Sequence, residues 1–169
     1  MTRIFALISA AVLLTGASGA QAATPKLAAL QAELAAKGPA YLASHEFNCD
    51  TGRGYKLVAG GTPGAVALGV QLVKTSGSAC AAEGLIQSLA QAMQKNPSAV
   101  LPYVDTGDQF SHDLICLPLG IEEPVAVTKA NVAKSTQAIS AVTDPKLAVQ
   151  RAACLASIAQ TSANLGKAQ

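Results

Sequence analysis

The sequence has few aromatic side chains, few charges and no cluster of basic residues. It contains no tryptophan, and charged residues make up only 13% of its 169 residues. Without a basic cluster, nucleic-acid binding is not expected, because that binding depends on cations that neutralise phosphates. Alanine is abundant by contrast, and it has the highest helix propensity of any residue. We therefore expect an all-α fold, a compact bundle of about five to seven helices.

The chain also lacks an apolar run of the roughly 20 residues that a membrane span requires, both at its start and later. It begins with one positive charge, Arg3, then the apolar run 4–14 and small residues ending in Ala20-Gln21-Ala22. This order is typical of a secretory signal. No cysteine closely follows the run, so a lipoprotein anchor is not expected. We predict a signal peptide over residues 1–22, cleaved near Ala22. Residues 23–169 are then a single helical, disulfide-bonded domain, periplasmic or secreted, with no stable membrane anchor.

All four cysteines follow the predicted signal, at Cys49, Cys80, Cys116 and Cys154. An even number of thiols in an exported chain indicates two disulfides. Three connectivities are possible from the sequence, and we favour Cys49–Cys80 with Cys116–Cys154.

Capping residues and leucine spacing predict several helices. Thr24 can cap a helix that starts at Pro25, with leucines recurring every three or four residues until Gly38-Pro39 ends it. Ser78 opens a clearer helix to about Gln94. The remaining predicted helices are 40–47, a short helix from Pro97 to Val104, another from Gln109 to Cys116, one from Pro124 to about Val142, and one from Pro145 to about Leu165. The last two should pack antiparallel because their connection is short.

The segment from Tyr55 to Thr75 is ambiguous. Val66, Leu68, Val70 and Leu72 alternate with other residues as in a strand, and the glycines before them could form a hairpin loop. Thr62-Pro63 is also a cap followed by a first-turn proline. We favour a helix from Pro63, with the hairpin as the alternative.

An internal duplication is suggested by two similar hexapeptides, 44–49 and 111–116. Each begins Ser-His, continues with an acidic residue and ends in cysteine, so His45 and His112 each precede a cysteine by four residues. Two such pairs could in principle form a Cys2His2 metal site. Because the thiols of an exported protein are expected in disulfides, we predict no metal.

Other motifs point to no active site. Asp105-Thr106-Gly107 matches the D-T-G of aspartic proteases, but only one copy exists and it follows a predicted helix, so a helix-ending turn is expected. The glycines near Gly60 lack the lysine and hydroxyl of a phosphate loop, and no Gly-x-Ser-x-Gly turn is present. We predict a protein that is not an enzyme and that uses no cofactor.

The C-terminal half resembles a known family. Cys116-Leu117-Pro118-Leu119-Gly120 precedes a long helix, then Asp144-Pro145 and a final helix that carries Cys154, while Ala79-Cys80 opens an earlier helix with Gly84. This order is similar to that of the small periplasmic immunity proteins that neutralise peptidoglycan-cleaving amidase effectors of type VI secretion. The resemblance covers about residues 80–154.

The resemblance implies an all-helical periplasmic protein that binds a protein partner, a secreted amidase effector. It implies inhibition by steric block, with a surface or loop filling the cleft of the amidase. The segment around Gly60 and the turn at Asp105–Asp108 are the exposed loops expected to serve this role. The alternative is a periplasmic binder of a small ligand or metal that uses His45 and His112.

Overall fold

The computed structural model describes residues 24–49, 52–119 and 123–167. The predicted signal peptide lies outside these residues. Within them the chain is all-α, as predicted, and contains no strand. The α-helices are α1 (Pro25–Lys37), α2 (Pro39–His45), α3 (Tyr55–Val58), α4 (Pro63–Thr75), α5 (Ala79–Lys95), α6 (Pro97–Val100), α7 (His112–Ile115), α8 (Val125–Ser140) and α9 (Ala148–Lys167). Short 3₁₀ helices occupy Leu101–Tyr103, Asp108–Phe110 and Pro145–Leu147.

Helix starts follow the capping signals in the sequence. The Thr24 hydroxyl accepts a hydrogen bond from the Leu27 amide at 3.4 Å, and the Ser78 hydroxyl accepts one from Ala81 at 3.2 Å. These bonds satisfy amides that have no partner in the first turn of a helix. Gly38 then separates α1 from α2 with φ +84°, in the left-handed region that glycine tolerates best.

The ambiguous segment is helical, and α4 begins at Pro63 as favoured. Helices α1, α2, α3, α5 and α6 all contact α4. A helix surrounded in this way is apolar on nearly every side. Its alternating residues, Val66, Leu68, Val70 and Leu72, are therefore all buried. A narrow face of α4, at Ala67, Gln71 and Lys74, is exposed, and burial of the other faces explains why the spacing could also fit a strand.

Two long helices, α8 and α9, form the C-terminal hairpin. They pack on each other, α8 also contacts α5, and α9 contacts α7. Ile139, Cys154 and Ile158 are buried in this hairpin. Asp144 caps the 3₁₀ turn that leads into α9 by accepting from the Lys146 amide at 2.9 Å. The predicted pair of packed helices is confirmed.

The short helix predicted from Gln109 to Cys116 is wrong in extent. A 3₁₀ helix over Asp108–Phe110 is followed by extended backbone at Ser111, with φ −58° and ψ 148°, before α7 starts. The Asp105 carboxylate accepts a hydrogen bond from the His112 amide at 3.0 Å, and α7 starts at that residue. The predicted helix from Pro97 is likewise divided into α6 and the 3₁₀ helix Leu101–Tyr103.

Two disulfides join Cys49 to Cys80 and Cys116 to Cys154, with Cα–Cα distances of 5.9 Å and 5.2 Å. This is the favoured pairing. Disulfides are typical of proteins in an oxidising compartment outside the cytoplasm. None of the described helices is both long and apolar enough to span a membrane.

Candidate functional site

The two histidines of the repeated motif lie in different local structures. His45 ends α2, stacks on the Tyr41 ring at 3.8 Å between centroids, and its Nδ1 lies 2.9 Å from the Tyr41 carbonyl oxygen. His112 begins α7 and contacts Asp105 instead. The similar hexapeptides therefore do not adopt the same backbone.

The Cys2His2 arrangement considered from the sequence is not formed. All four cysteines are in disulfides, and each histidine belongs to a separate cluster. Among the described residues, no group of three or more histidine, cysteine or acidic side chains is placed to hold a metal ion.

Asp105 organises a loop, residues 105–111, between the 3₁₀ helix Leu101–Tyr103 and α7. Its carboxylate accepts hydrogen bonds from the His112 amide at 3.0 Å and from His112 Nδ1 at 2.9 Å. Its own amide donates to the Phe110 carbonyl at 2.9 Å. Asp105 has φ +59°, a left-handed conformation that aspartate adopts more readily than most residues. The Asp105-Thr106-Gly107 motif is thus a helix-ending turn, as expected.

The Asp105–His112 contact resembles half of a catalytic triad, in which a carboxylate orients a histidine. A triad also needs a hydroxyl that bonds to the histidine, and Ser157, the hydroxyl linked to these residues, bonds to Asp113 instead. Ser157 of α9 donates to Asp113 at 2.7 Å, and Asp113 lies 3.7 Å from His112 Nε2. The network therefore ties the loop and α7 to α9, which is a structural role.

Residues 105–109 form the most exposed stretch of this loop, and all five are exposed. The loop ends at Phe110, whose side chain is only 2% exposed. Lys74 of α4 lies over the Phe110 ring, 5.3 Å from its centroid. The loop is therefore anchored at one end by an apolar side chain and closed at the other by the Asp105 carboxylate. We call residues 105–109 the anchored loop.

The segment around Gly60, predicted as a second exposed binding loop, is exposed in part. Gly60, Thr62 and Pro63 are exposed, whereas Ala59 and Gly61 are buried. The Ala59 carbonyl accepts from Lys95 Nζ at 2.8 Å, and the Gly61 carbonyl accepts from Asn96 Nδ2 at 2.9 Å. These bonds hold the turn against the end of α5, and a role for it in binding stays a prediction.

The Tyr55 ring packs on Gly84 of α5, four residues after Cys80. The Tyr55 hydroxyl donates to the Phe47 carbonyl, and its ring meets the Phe47 ring edge-on, 5.5 Å between centroids. Burial raises the pKa of the Tyr55 phenol above its ordinary value of 10.0, so the hydroxyl stays protonated and able to donate. This cluster stabilises the segment before Cys49 against α5.

An open groove between α5 and α8 was not found from the sequence. It consists of two hollows of about 830 and 640 Å³ that share Gln94 and Lys95. Five side-chain amides line it, those of Gln87, Gln91, Gln94, Asn131 and Gln137. The signal available in the sequence was the spacing of Gln87, Gln91 and Gln94, which places three amides on one face of a helix. We call this feature the amide groove.

Comparison with known proteins finds no matching family model, no similar curated protein and no similar solved structure. The resemblance to amidase immunity proteins stays a prediction.

Proposed function

We propose that this protein is exported to the periplasm, loses its signal peptide near Ala22, and acts by binding another protein. We further propose that it is an immunity protein, and that its partner is a secreted amidase effector that cleaves the cell wall. Oxidised cysteines and an all-helical fold are compatible with this role. Binding rather than catalysis is favoured because His112 is engaged by two carboxylates and not by a nucleophile.

The proposed binding role rests on the structure of the anchored loop. A loop that is already ordered before binding loses less conformational entropy when it enters a cleft. Here the Asp105 carboxylate, the Asp105 amide and the buried Phe110 fix the loop, while residues 105–109 remain accessible. These are the properties of a segment that blocks an active site by occupying it.

Asp108 is the residue best placed to meet the partner. It is exposed in the anchored loop, and its side chain forms no ion pair with any described residue. An unpaired carboxylate at the centre of an exposed loop favours a basic cleft in the partner.

The test begins with the oxidised, signal-free protein as bait in a periplasmic extract, followed by measurement of affinity for any captured amidase. Asp108→Lys should weaken binding about tenfold or more, because attraction is replaced by repulsion at the centre of the contact. Glu33→Lys, an equal change of charge on α1 and outside the anchored loop, is the matched control and should leave affinity unchanged. Equal affinity of wild type and Asp108→Lys would remove the anchored loop from the interface. The absence of any captured amidase, together with no inhibition of peptidoglycan cleavage, would contradict the immunity role.

A further inference from the structure

The amide groove exists because α8 meets α5 largely through polar side chains. The buried residues of α8 are Thr128, Ser135 and Ile139, and two of these three carry hydroxyls. Gln94 Nε2 donates to the Ser135 hydroxyl at 3.1 Å and lies 3.4 Å from Asn131 Oδ1. The long amide side chain of Gln94 thus bridges the two helices at the point where the two hollows meet.

Some side-chain amides of the groove form hydrogen bonds within the protein, and others form none with a described residue. Gln87 donates to the Leu119 carbonyl at 2.8 Å and Asn131 to the Pro118 carbonyl at 3.2 Å, so both hold the segment after Cys116. Gln91 on α5 and Gln137 on α8 are exposed and make no hydrogen bond within the described parts of the chain. Each free amide offers a donor and an acceptor, which match the C=O and N–H of a peptide unit.

Charges of opposite sign stand at the two ends of the groove. Glu83 and Glu123 line one end, Lys134 lines the other, and Lys95 lies between them, where the two hollows meet and where its Nζ donates to the Ala59 carbonyl. Asp144 also lies at the lysine end, where its carboxylate caps the Lys146 amide. Neither Glu83 nor Lys134 forms an ion pair with a described residue, so both are available to a ligand.

The part of the groove between Glu83 and Lys95 matches a short extended peptide in length. Glu83 and Lys95 are twelve residues apart on α5, which corresponds to about 18 Å at 1.5 Å per residue. An extended chain rises about 3.3 Å per residue, so five to six residues would span this distance. The exposed Val127, beside the glutamate end, adds an apolar contact.

We propose that the amide groove binds an extended segment of about six residues from a partner polypeptide. A basic side chain of that segment lies between Glu83 and Glu123, and an acidic side chain lies beside Lys134. Gln91 and Gln137 pair with its main chain, the manner in which extended peptides gain affinity without a fixed sequence. This site is separate from the anchored loop, since the two share no residue.

The probes are three synthetic hexapeptides, blocked at both termini, with four uncharged residues between the end residues. One carries lysine at one end and glutamate at the other, the second lysine at both ends, and the third glutamate at both. Isotope-labelled, oxidised protein is titrated with each peptide and followed by NMR. The mixed peptide should bind most tightly, about fivefold better than the other two, since exposed ion pairs contribute modestly. Shifts should be confined to α5, α8 and the side-chain amides of Gln91 and Gln137.

Charge reversal then tests the orientation. Lys134→Glu should transfer the preference to the peptide with two lysines, and Glu83→Lys should abolish the advantage of the mixed peptide over the peptide with two glutamates. Lys129→Glu, on α8 but outside the groove, is the matched control and should keep the wild-type preference. Asp108→Lys should also leave peptide binding unchanged. Absence of binding by all three peptides at millimolar concentration, shifts outside α5 and α8, or a wild-type preference in Lys134→Glu would overturn the proposal.

Discussion

At the scale of single residues, Gly84 shows how a missing side chain positions an aromatic ring. Glycine inside a helix costs about 1 kcal/mol relative to alanine. In α5 the missing side chain at Gly84 makes room for Tyr55, because a Cβ added there would lie 2.5 Å from the Tyr55 ring. The Tyr55 hydroxyl in turn donates a hydrogen bond to the carbonyl of Phe47, two residues before Cys49. The glycine thus serves the packing around the first disulfide.

Replacing Gly84 with alanine should therefore destabilise the protein despite the better helix propensity of alanine. We expect a loss of about 1–3 kcal/mol in the free energy of unfolding, the range typical of overpacked sites. Urea unfolding followed by circular dichroism measures it.

Gly166→Ala is the matched control for this change. A Cβ at Gly166, also in a helix, meets nothing within 4 Å. This substitution should be neutral or slightly stabilising. Equal effects of the two substitutions would show that the Tyr55 ring does not need the space at Gly84.

At the scale of elements, the anchored loop depends on the carboxylate that closes it. Asp105 combines a left-handed backbone with two accepted hydrogen bonds from His112. Alanine would be strained at this φ and would supply no acceptor. Asparagine tolerates the conformation and keeps an acceptor.

Asp105→Ala should lower the free energy of unfolding by about 1–2 kcal/mol, as does the loss of a helix cap. Asp105→Asn should lower it less. The control is Asp108→Ala in the same loop, which is expected to stay within about 0.5 kcal/mol of wild type because this side chain is exposed and forms no hydrogen bond to a described residue. A loss with Asp108→Ala as large as that with Asp105→Ala would mean that exposed loop residues, rather than the Asp105 contacts, stabilise the loop.

At the scale of the whole molecule, the two disulfides differ in accessibility. Cys49 is exposed and Cys80 partly so, whereas Cys116 and Cys154 are both 0% exposed. The paired cysteines are separated by 31 and 38 residues, so each bond should restrict the unfolded chain to a similar degree, worth about 4 kcal/mol.

Treatment of the folded protein with a reductant should open Cys49–Cys80 before Cys116–Cys154. A thiolate must reach a sulfur atom to exchange with a disulfide, and only the first bond offers that access without unfolding. Alkylation at intervals followed by mass spectrometry reveals the order. In concentrated guanidinium chloride the difference should disappear, which serves as the control. Simultaneous reduction of both disulfides in the folded protein would contradict the prediction that burial protects Cys116–Cys154.

The sequence alone determined the features that depend on neighbouring residues in the chain. Thr24 and Ser78 begin helices because their hydroxyls reach amides three residues away, and Pro25 and Pro63 fit first turns. The disulfide pairing was only favoured among three connectivities. Which cysteines meet is decided by packing, since α7 must lie on α9 before Cys116 can reach Cys154.

Only the tertiary structure decided the features that depend on which elements surround a residue. The alternating apolar residues of α4 could fit a strand or a helix until five neighbouring helices buried them all. The anchored loop and the amide groove likewise arise between elements: one from a carboxylate that reaches across seven residues to His112, the other from polar contacts between α5 and α8. Capping and periodicity are local interactions, whereas burial, loop closure and groove shape require distant parts of the chain to come together, and no single stretch of sequence contains that information.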